Sequence, residues 1–325
     1  MRRFVSLLVA RGASAFCGGR VRMSVEPDRP PTLPAGKFRP KQSLGQNYLA
    51  DQNIAVKITK ALEDASEGGH RVVELGPGLG ALTRLLVEEY PEMLAVEIDQ
   101  RAVDLLRERH EELSVIRSDV LEIDYTKLRE LRARDGGRLS VIGNLPYYIT
   151  SQILFALADH HDSVRRAVVT MQWEVAQRVV AAPRTKDYGI LSVVFQLYSN
   201  ARIAFKIPPT AFYPKPKVDS ALVVVDFPVD RPRFPVDPRK LRTVVTTAFR
   251  QRRKMLRQSL KSILPPDFKL PDNWSTKRPE ELKPRDFLEL TAIIFGRIDP
   301  DSEPPSGTAI WRKVKKADDD GGGSR

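Results

Sequence analysis

The residues best suited to chemistry lie in the run Val141-Ile142-Gly143-Asn144-Leu145-Pro146-Tyr147-Tyr148-Ile149. An exocyclic amine on an aromatic base is a poor nucleophile, because its lone pair is delocalised into the ring. Two hydrogen-bond acceptors aimed at its two hydrogens favour a pyramidal nitrogen and stabilise the positive charge that develops during attack. Asn144 offers its amide oxygen and Leu145 its backbone carbonyl, while Pro146 fixes the turn that presents both. Tyr147 then supplies a face on which a base taken out of its stack can rest. By itself the run also fits an ordinary turn, so its neighbours must decide.

Those neighbours are a glycine loop and two acids. The strand-like Val72-Val73-Glu74-Leu75 runs straight into Gly76-Pro77-Gly78-Leu79-Gly80, where Gly76 and Gly78 let the backbone turn and approach a ligand closely. A dinucleotide fingerprint wants its third glycine at the position held by Ala81, whereas here Gly80 stands two residues after the second. That spacing, with no histidine placed for proton transfer, argues against a nicotinamide dehydrogenase. Glu97 closes the next strand, where a carboxylate can accept ribose hydroxyls. Asp119 follows the third, where it can accept from an adenine amine. Loop, Glu97 and Asp119 at three successive strand ends make a site for an adenosine that needs no diphosphate.

Such a site requires a particular scaffold. Strands are expected at 71–75, 93–97, 113–116, 139–142, 167–171 and 221–227, mostly separated by helical patterns. The first helix is expected from its Asp51 cap to about Ala65. This is an α/β chain with a Rossmann-like, doubly wound parallel sheet, and its ligands belong outside the carboxyl ends of the strands. The catalytic unit is expected over 37–234. Prolines 228, 232, 235 and 238 end it, and a small helical domain is expected over 235–298. The tail 299–325, with Pro304-Pro305 and a terminal Asp-Gly-rich stretch, reads as disordered, Trp311 included.

Charge points to the partner. The 325 residues hold 53 Lys and Arg against 41 Asp and Glu, a net +12, which favours a polyanion. Between Asp237 and Lys261 stand nine Lys or Arg and one Asp. Helical spacing would put Arg250, Lys254, Arg257 and Lys261 on one face, opposite Phe249, Leu256, Leu260 and Ile263, as a cationic rail for RNA phosphates. Lys41 is a further candidate RNA contact. The only cysteine, Cys17, and the four histidines lack metal-ligand spacing, so no metal site is expected and the histidines read as surface residues. No apolar run is long enough to span a bilayer. From Met1 to Val25 there are five arginines and no acid, with Ala13-Ser14-Ala15 before Phe16. That is targeting composition, followed by a linker to residue 36. It resembles a bipartite plastid presequence, with a mitochondrial one, or a merely basic terminus, as the other readings.

Four ordered motifs carry a family likeness. Gly-Gln-Asn-Tyr-Leu (45–49), Glu-Leu-Gly-Pro-Gly-Leu-Gly-Ala-Leu-Thr (74–83), Asn-Leu-Pro-Tyr (144–147) and Phe-Tyr-Pro-Lys-Pro-Lys-Val-Asp-Ser (212–220) together resemble the KsgA-type ribosomal RNA adenine dimethyltransferases. The resemblance covers about residues 37–298. It implies S-adenosylmethionine as methyl donor, and dimethylation at N6 of two adjacent adenosines near the 3′ end of small-subunit rRNA. A monomer is expected. By the same carry-over Asn47 and Leu49 join Gly76, Glu97, Asp119 and Asn144 around the donor, and Phe212 closes the other face of the target base. Two positions depart from the pattern: Ser43-Leu44 replaces a basic-Phe pair, and Tyr148 stands where asparagine is common. The rival on the same fold is a non-catalytic or dual-role organellar transcription or assembly factor, against which the intact Asn-Leu-Pro-Tyr run argues.

Overall fold

The computed structural model of the chain describes residues 46–231, 233–302, 304 and 307–312. The expected presequence and linker (1–36), Lys41 and the end of the tail (313–325) lie outside the described residues. A short antiparallel pair joins β1 (Tyr48–Leu49) to β8 (Phe212–Tyr213). The main sheet holds β2 (Val72–Leu75), β3 (Leu94–Glu97), β4 (Ser114–Arg117), β5 (Leu139–Asn144), β6 (Val164–Gln172), β7 (Asn200–Ile207) and β9 (Ser220–Asp226). Their order is β4-β3-β2-β5-β6-β9-β7, parallel except for β9, which runs antiparallel to both of its neighbours. The order reverses between β2 and β5, so the crevice at their carboxyl ends is the switch point where a ligand belongs.

Strands buried on both faces read as apolar runs, and β3 up to Glu97 and most of β5 and β9 do so, while β2 is fully buried but interrupted by Glu74. Their side chains alternate between two cores. Val73, Leu75, Val96, Val141, Val169 and Val223 face one, and Val72, Ala95, Ile142, Val168 and Val224 face the other. The second core takes α1 (Gln52–Lys60), α2 (Thr83–Glu89) and α3 (Gln100–Arg109). The first takes α5 (Thr150–Asp159), α6 (Trp173–Val180) and α7 (Ile190–Tyr198), with α4 (Tyr125–Arg132) at its edge. Asp51, Asp99 and Asp124 cap α1, α3 and α4 by accepting backbone N–H bonds. Helix α1 stops at Lys60, short of Ala65, because the chain turns at Glu63 with φ +49.

The six expected strands are present, within three residues at their ends. β7 was not expected. It is an edge strand of alternating exposed and half-buried residues that points Arg202 and Lys206 outward, so it carries no apolar run to read.

Beyond β9, α8 (Pro238–Arg250), α9 (Leu256–Ser259), α10 (Asp272–Ser275) and α11 (Pro284–Phe295) form the helical part. Its core is continuous with the sheet's: Phe249 meets Tyr188 edge-on at 5.9 Å and Phe287 at 5.8 Å between centroids. The single-helix rail is corrected. α8 ends at Arg250, the chain turns through 251–255, and α9 begins at Leu256, whose N–H is held by Lys277 O at 2.8 Å. Arg250, Lys254, Arg257 and Lys261 are all exposed, yet they stand on a helix end, a turn and two short helices.

Two further expectations are overturned. The tail is ordered as far as it is described: Trp311 is only 4% exposed and stacks on Phe155, with an edge contact to Tyr198. Asp159 holds this segment, its carboxylate accepting the N–H groups of Trp311 (2.8 Å) and Arg312 (3.1 Å). The histidines are not all surface residues either, since His70, His160 and His161 are buried. Each turns Nδ1 toward a backbone carbonyl near the end of a helical turn. Burial lowers the pKa of His160, and it lowers that of His161 to about 4, aided by Arg231, so both rings are neutral at pH 7.

Candidate active site

Four strand ends, those of β2, β3, β4 and β5, and the segment 46–49 enclose a cavity of about 340 Å³, inside the range of roughly 300–1,000 Å³ typical of small-molecule sites. Its wall contains Asn47, Leu49, Gly76, Gly78, Glu97, Asp119, Asn144, Leu145, Pro146 and Tyr147. Sequence reasoning placed all of these at the site. Phe212 is not on the wall; it is 4% exposed and pairs with Leu49, so in this structure it backs the segment that lines the cavity.

On the donor side, Gly76 (φ +64) and Gly78 (φ +57) adopt the left-handed backbone that the tight turn after β2 needs. A side chain on Gly78 would meet the Tyr48 ring at 3.0 Å, so that ring roofs the loop. Tyr48 Oη donates to Gln46 Oε1 (2.7 Å), and Gln46 Nε2 donates to Asp99 Oδ2 (3.3 Å). Arg101 grips the Asp99 carboxylate through Nε and Nη2 and holds its pKa down to about 2. The sequence reading missed this chain of bonds, although Gln46 and Tyr48 lie inside a quoted motif.

Glu97 is 5% exposed, and burial raises its pKa. The N–H groups of Gly78, Ile98 and Asp99, at 3.0, 2.8 and 2.9 Å, oppose that shift and fix the carboxylate in place. Asp119 Oδ1 accepts from Leu121 N (2.9 Å). The set fits an adenosine-bearing methyl donor: glycines that let the backbone come close, and two acids at the ends of β3 and β4 as acceptors. Replacing Glu97 by alanine should weaken donor binding by about 10–100-fold, the value of hydrogen bonds to a charged group. Calorimetric titration with S-adenosylmethionine measures this; unchanged affinity would remove Glu97 from the donor site.

Glu74, also on the wall, is 1% exposed and accepts from Thr83 Oγ1 at 2.7 Å. Burial, reinforced by Glu97, pushes its carboxyl up to about 8, so it is protonated at neutral pH. The folded state holds a proton that the unfolded chain releases near pH 4.5. The stabilising contribution is therefore complete below 4.5 and lost as pH rises through about 8. Denaturant titrations should show that Glu74→Gln removes this part of the pH dependence; parallel profiles for both proteins would contradict it.

On the target side, the Asn144 amide is clamped. Nδ2 donates to Asn47 O (2.8 Å), and Oδ1 accepts from Thr170 Oγ1 on the neighbouring β6. The two bonds fix which end of the amide is oxygen, and that oxygen keeps a second lone pair. Gly143 allows β5 to pass, since a Cβ there would come within 2.5 Å of Leu75 O. Tyr147 is anchored by its hydroxyl on Ser220 Oγ at 2.7 Å, and Thr150 Oγ1 donates to Pro146 O at 2.9 Å. Tyr148 stands on the rim, 58% exposed.

Thr170 was missed, because nothing in an apolar strand marks one threonine as the partner of an asparagine 26 residues away. Thr170→Val should lower kcat by about 3–10-fold, the worth of one neutral hydrogen bond, and leave donor affinity unchanged. Thr170→Ser should restore the rate. A Val variant of full activity would show that the amide needs no second tether.

Among the described residues no cluster of metal-ligating side chains occurs, and no helix is long and apolar enough to cross a membrane. The model of the family described as ribosomal RNA adenine dimethylase matches residues 37–286. Ribosomal RNA small subunit methyltransferase A of Salinibacter ruber is 44% identical over 288 residues, which are 87% of this chain and 96% of that protein. The protein of the same name from Porphyromonas gingivalis is 40% identical over 265 residues, 79% of this chain and 98% of its own. Among solved structures, a dimethyladenosine transferase from Plasmodium falciparum superposes with a TM-score of 0.61 at 22% identity, covering 74% of this chain and 94% of that one. The 23S rRNA methyltransferase ErmE gives 0.54 at 23%, covering 76% and 99%. These two share the fold, a class I methyltransferase sheet, as the sequence led us to expect. By its matched sequence and its motifs, the chain belongs to the ribosomal RNA adenine dimethylase family.

Proposed function

We propose that this protein transfers methyl groups from S-adenosylmethionine to N6 of two adjacent adenosines near the 3′ end of small-subunit rRNA, during subunit assembly. The observation that carries this is Asn144 on the cavity wall, its amide held by Asn47 O and Thr170 Oγ1. In this reading the target adenine leaves its stack, lies on Tyr147 and gives its two N6 hydrogens to Asn144 Oδ1 and Leu145 O. The bound donor supplies an electrophilic methyl on a sulfonium. With the donor held by the glycine loop, Glu97 and Asp119, N6 would take that methyl as the S–C bond breaks, and a proton would leave N6 for water. Positioning and the two acceptors supply the rate, so the mechanism invokes no metal.

The enzyme acts as a monomer in this reading, and the Ala13-Ser14-Ala15-Phe16 junction followed by the basic Arg20-Val21-Arg22 supports a plastid destination over a mitochondrial one. The test is transfer of labelled methyl from the donor to immature small subunits, with the modified positions mapped by reverse-transcription stops. Label at two neighbouring adenosines near the 3′ end is expected. Label elsewhere in the small-subunit RNA, or no label, contradicts the proposal.

A further inference from the structure

The loop between α6 and α7 is built in a way that its own sequence does not favour. Thr185 N donates to Ala182 O (3.3 Å), closing a four-residue turn with Pro183 second and Arg184 third. Arg184 sits at φ +68. Proline followed by a positive φ is the type II pattern, whose third position selects glycine, and an arginine there is strained.

Strain of this kind persists only where the surroundings enforce it, and here they do. Arg184 N donates to Glu280 O at 2.7 Å. From the turn after α8, Arg252 donates Nη2 to Thr185 O (2.6 Å), Nη1 to Lys186 O and Nε to Glu280 Oε2 (2.9 Å). Tyr188, fully buried, donates its hydroxyl to Leu282 O at 2.8 Å. The guanidinium of Arg252 is thus spent on carbonyls and a carboxylate of the protein itself. What the arrangement presents outward is charge. The Arg184 side chain is 76% exposed and touches Glu281 only loosely, at 3.8 Å. Lys186 is exposed, and across the joint so are Arg253, Lys254 and Arg278. Exposed cations carried on a backbone that is held in place suit phosphates.

We infer that the 182–186 turn is an RNA-phosphate contact that carries the cationic surface of the helical part onto the catalytic part, and that Arg252 is its positioning residue rather than a phosphate ligand. The inference rests on the RNA-modifying reading above.

The test uses the full chain and immature small subunits, with binding followed across salt concentrations and methyl transfer by the unsubstituted protein measured first. Arg184→Gly should melt no lower than the unsubstituted protein, because glycine accepts the backbone. Combined with Lys186→Ala it should reduce the slope of log K against log salt by about 1.4–1.8, at about 0.7–0.9 per lost phosphate contact. Donor affinity should not move. Arg252→Ala should weaken RNA binding in the unsubstituted protein but add nothing further in the Arg184→Gly, Lys186→Ala background. An unchanged salt slope, or a loss from Arg252→Ala that adds in full, overturns the inference. If the unsubstituted protein methylates the subunits while the slope is unchanged, only this inference falls. If it neither binds nor methylates them, the functional reading falls as well.

Discussion

Asn144→Ala is expected to lower kcat for methyl transfer by about 10²–10³-fold, the usual cost of removing one group that stabilises developing charge, while calorimetric donor affinity stays unchanged. The division follows from geometry. Glu97, Asp119 and the glycine loop line the cavity at the ends of β3, β4 and β2, and their hydrogen bonds do not involve Asn144, which is tied to Asn47 O and Thr170 Oγ1. The variant keeps Tyr147 on Ser220, so a base can still stack, and it loses one of two acceptors for the amine. A fall in donor affinity as large as the fall in kcat would move Asn144 to the donor site.

Trp311→Ala is expected to destabilise the fold by about 3–5 kcal/mol, the range for deleting a large aromatic side chain from a core. Trp311 packs its ring against Phe155 and Tyr198, and its backbone N–H is held by the Asp159 carboxylate at the end of α5. Burial pushes that carboxyl up to about 6 against the bonds from the tail, so losing the strap also exposes Asp159. Denaturant unfolding at pH 7 measures the change. A loss below about 1 kcal/mol, the ordinary effect of a surface substitution, would mean the segment contributes nothing to the fold.

The contrast between these two residues shows what the sequence could reveal. Asn144 was legible because its chemistry is local: an acceptor, a fixed turn and an aromatic face within four residues, at the end of a strand with a clear apolar run. Glu97 and Asp119 were legible because a parallel sheet puts successive strand ends side by side. Trp311 was not, because a tryptophan among lysines and an arginine has the composition of a free tail, and its partners Phe155 and Asp159 are about 150 residues away. The cationic rail failed for a related reason. Helical spacing from 250 to 261 is real in the sequence, but Arg252 finds Glu280 and the carbonyls of Thr185 and Lys186, and these tertiary bonds break the helix. Thr170 and the buried histidines share that limit, since a polar side chain in an apolar context declares its partner only once the strands are paired.

The most direct test of the central claim is nucleoside mass spectrometry of small-subunit rRNA from immature subunits incubated with S-adenosylmethionine and either the unsubstituted protein or Asn144→Ala. N6,N6-dimethyladenosine is expected with the first and at most a trace with the second. Methylation at another atom or base by the unsubstituted protein, or equal yields of dimethyladenosine from both, would contradict the assignment of Asn144-Leu145-Pro146-Tyr147 as the site that holds the target amine.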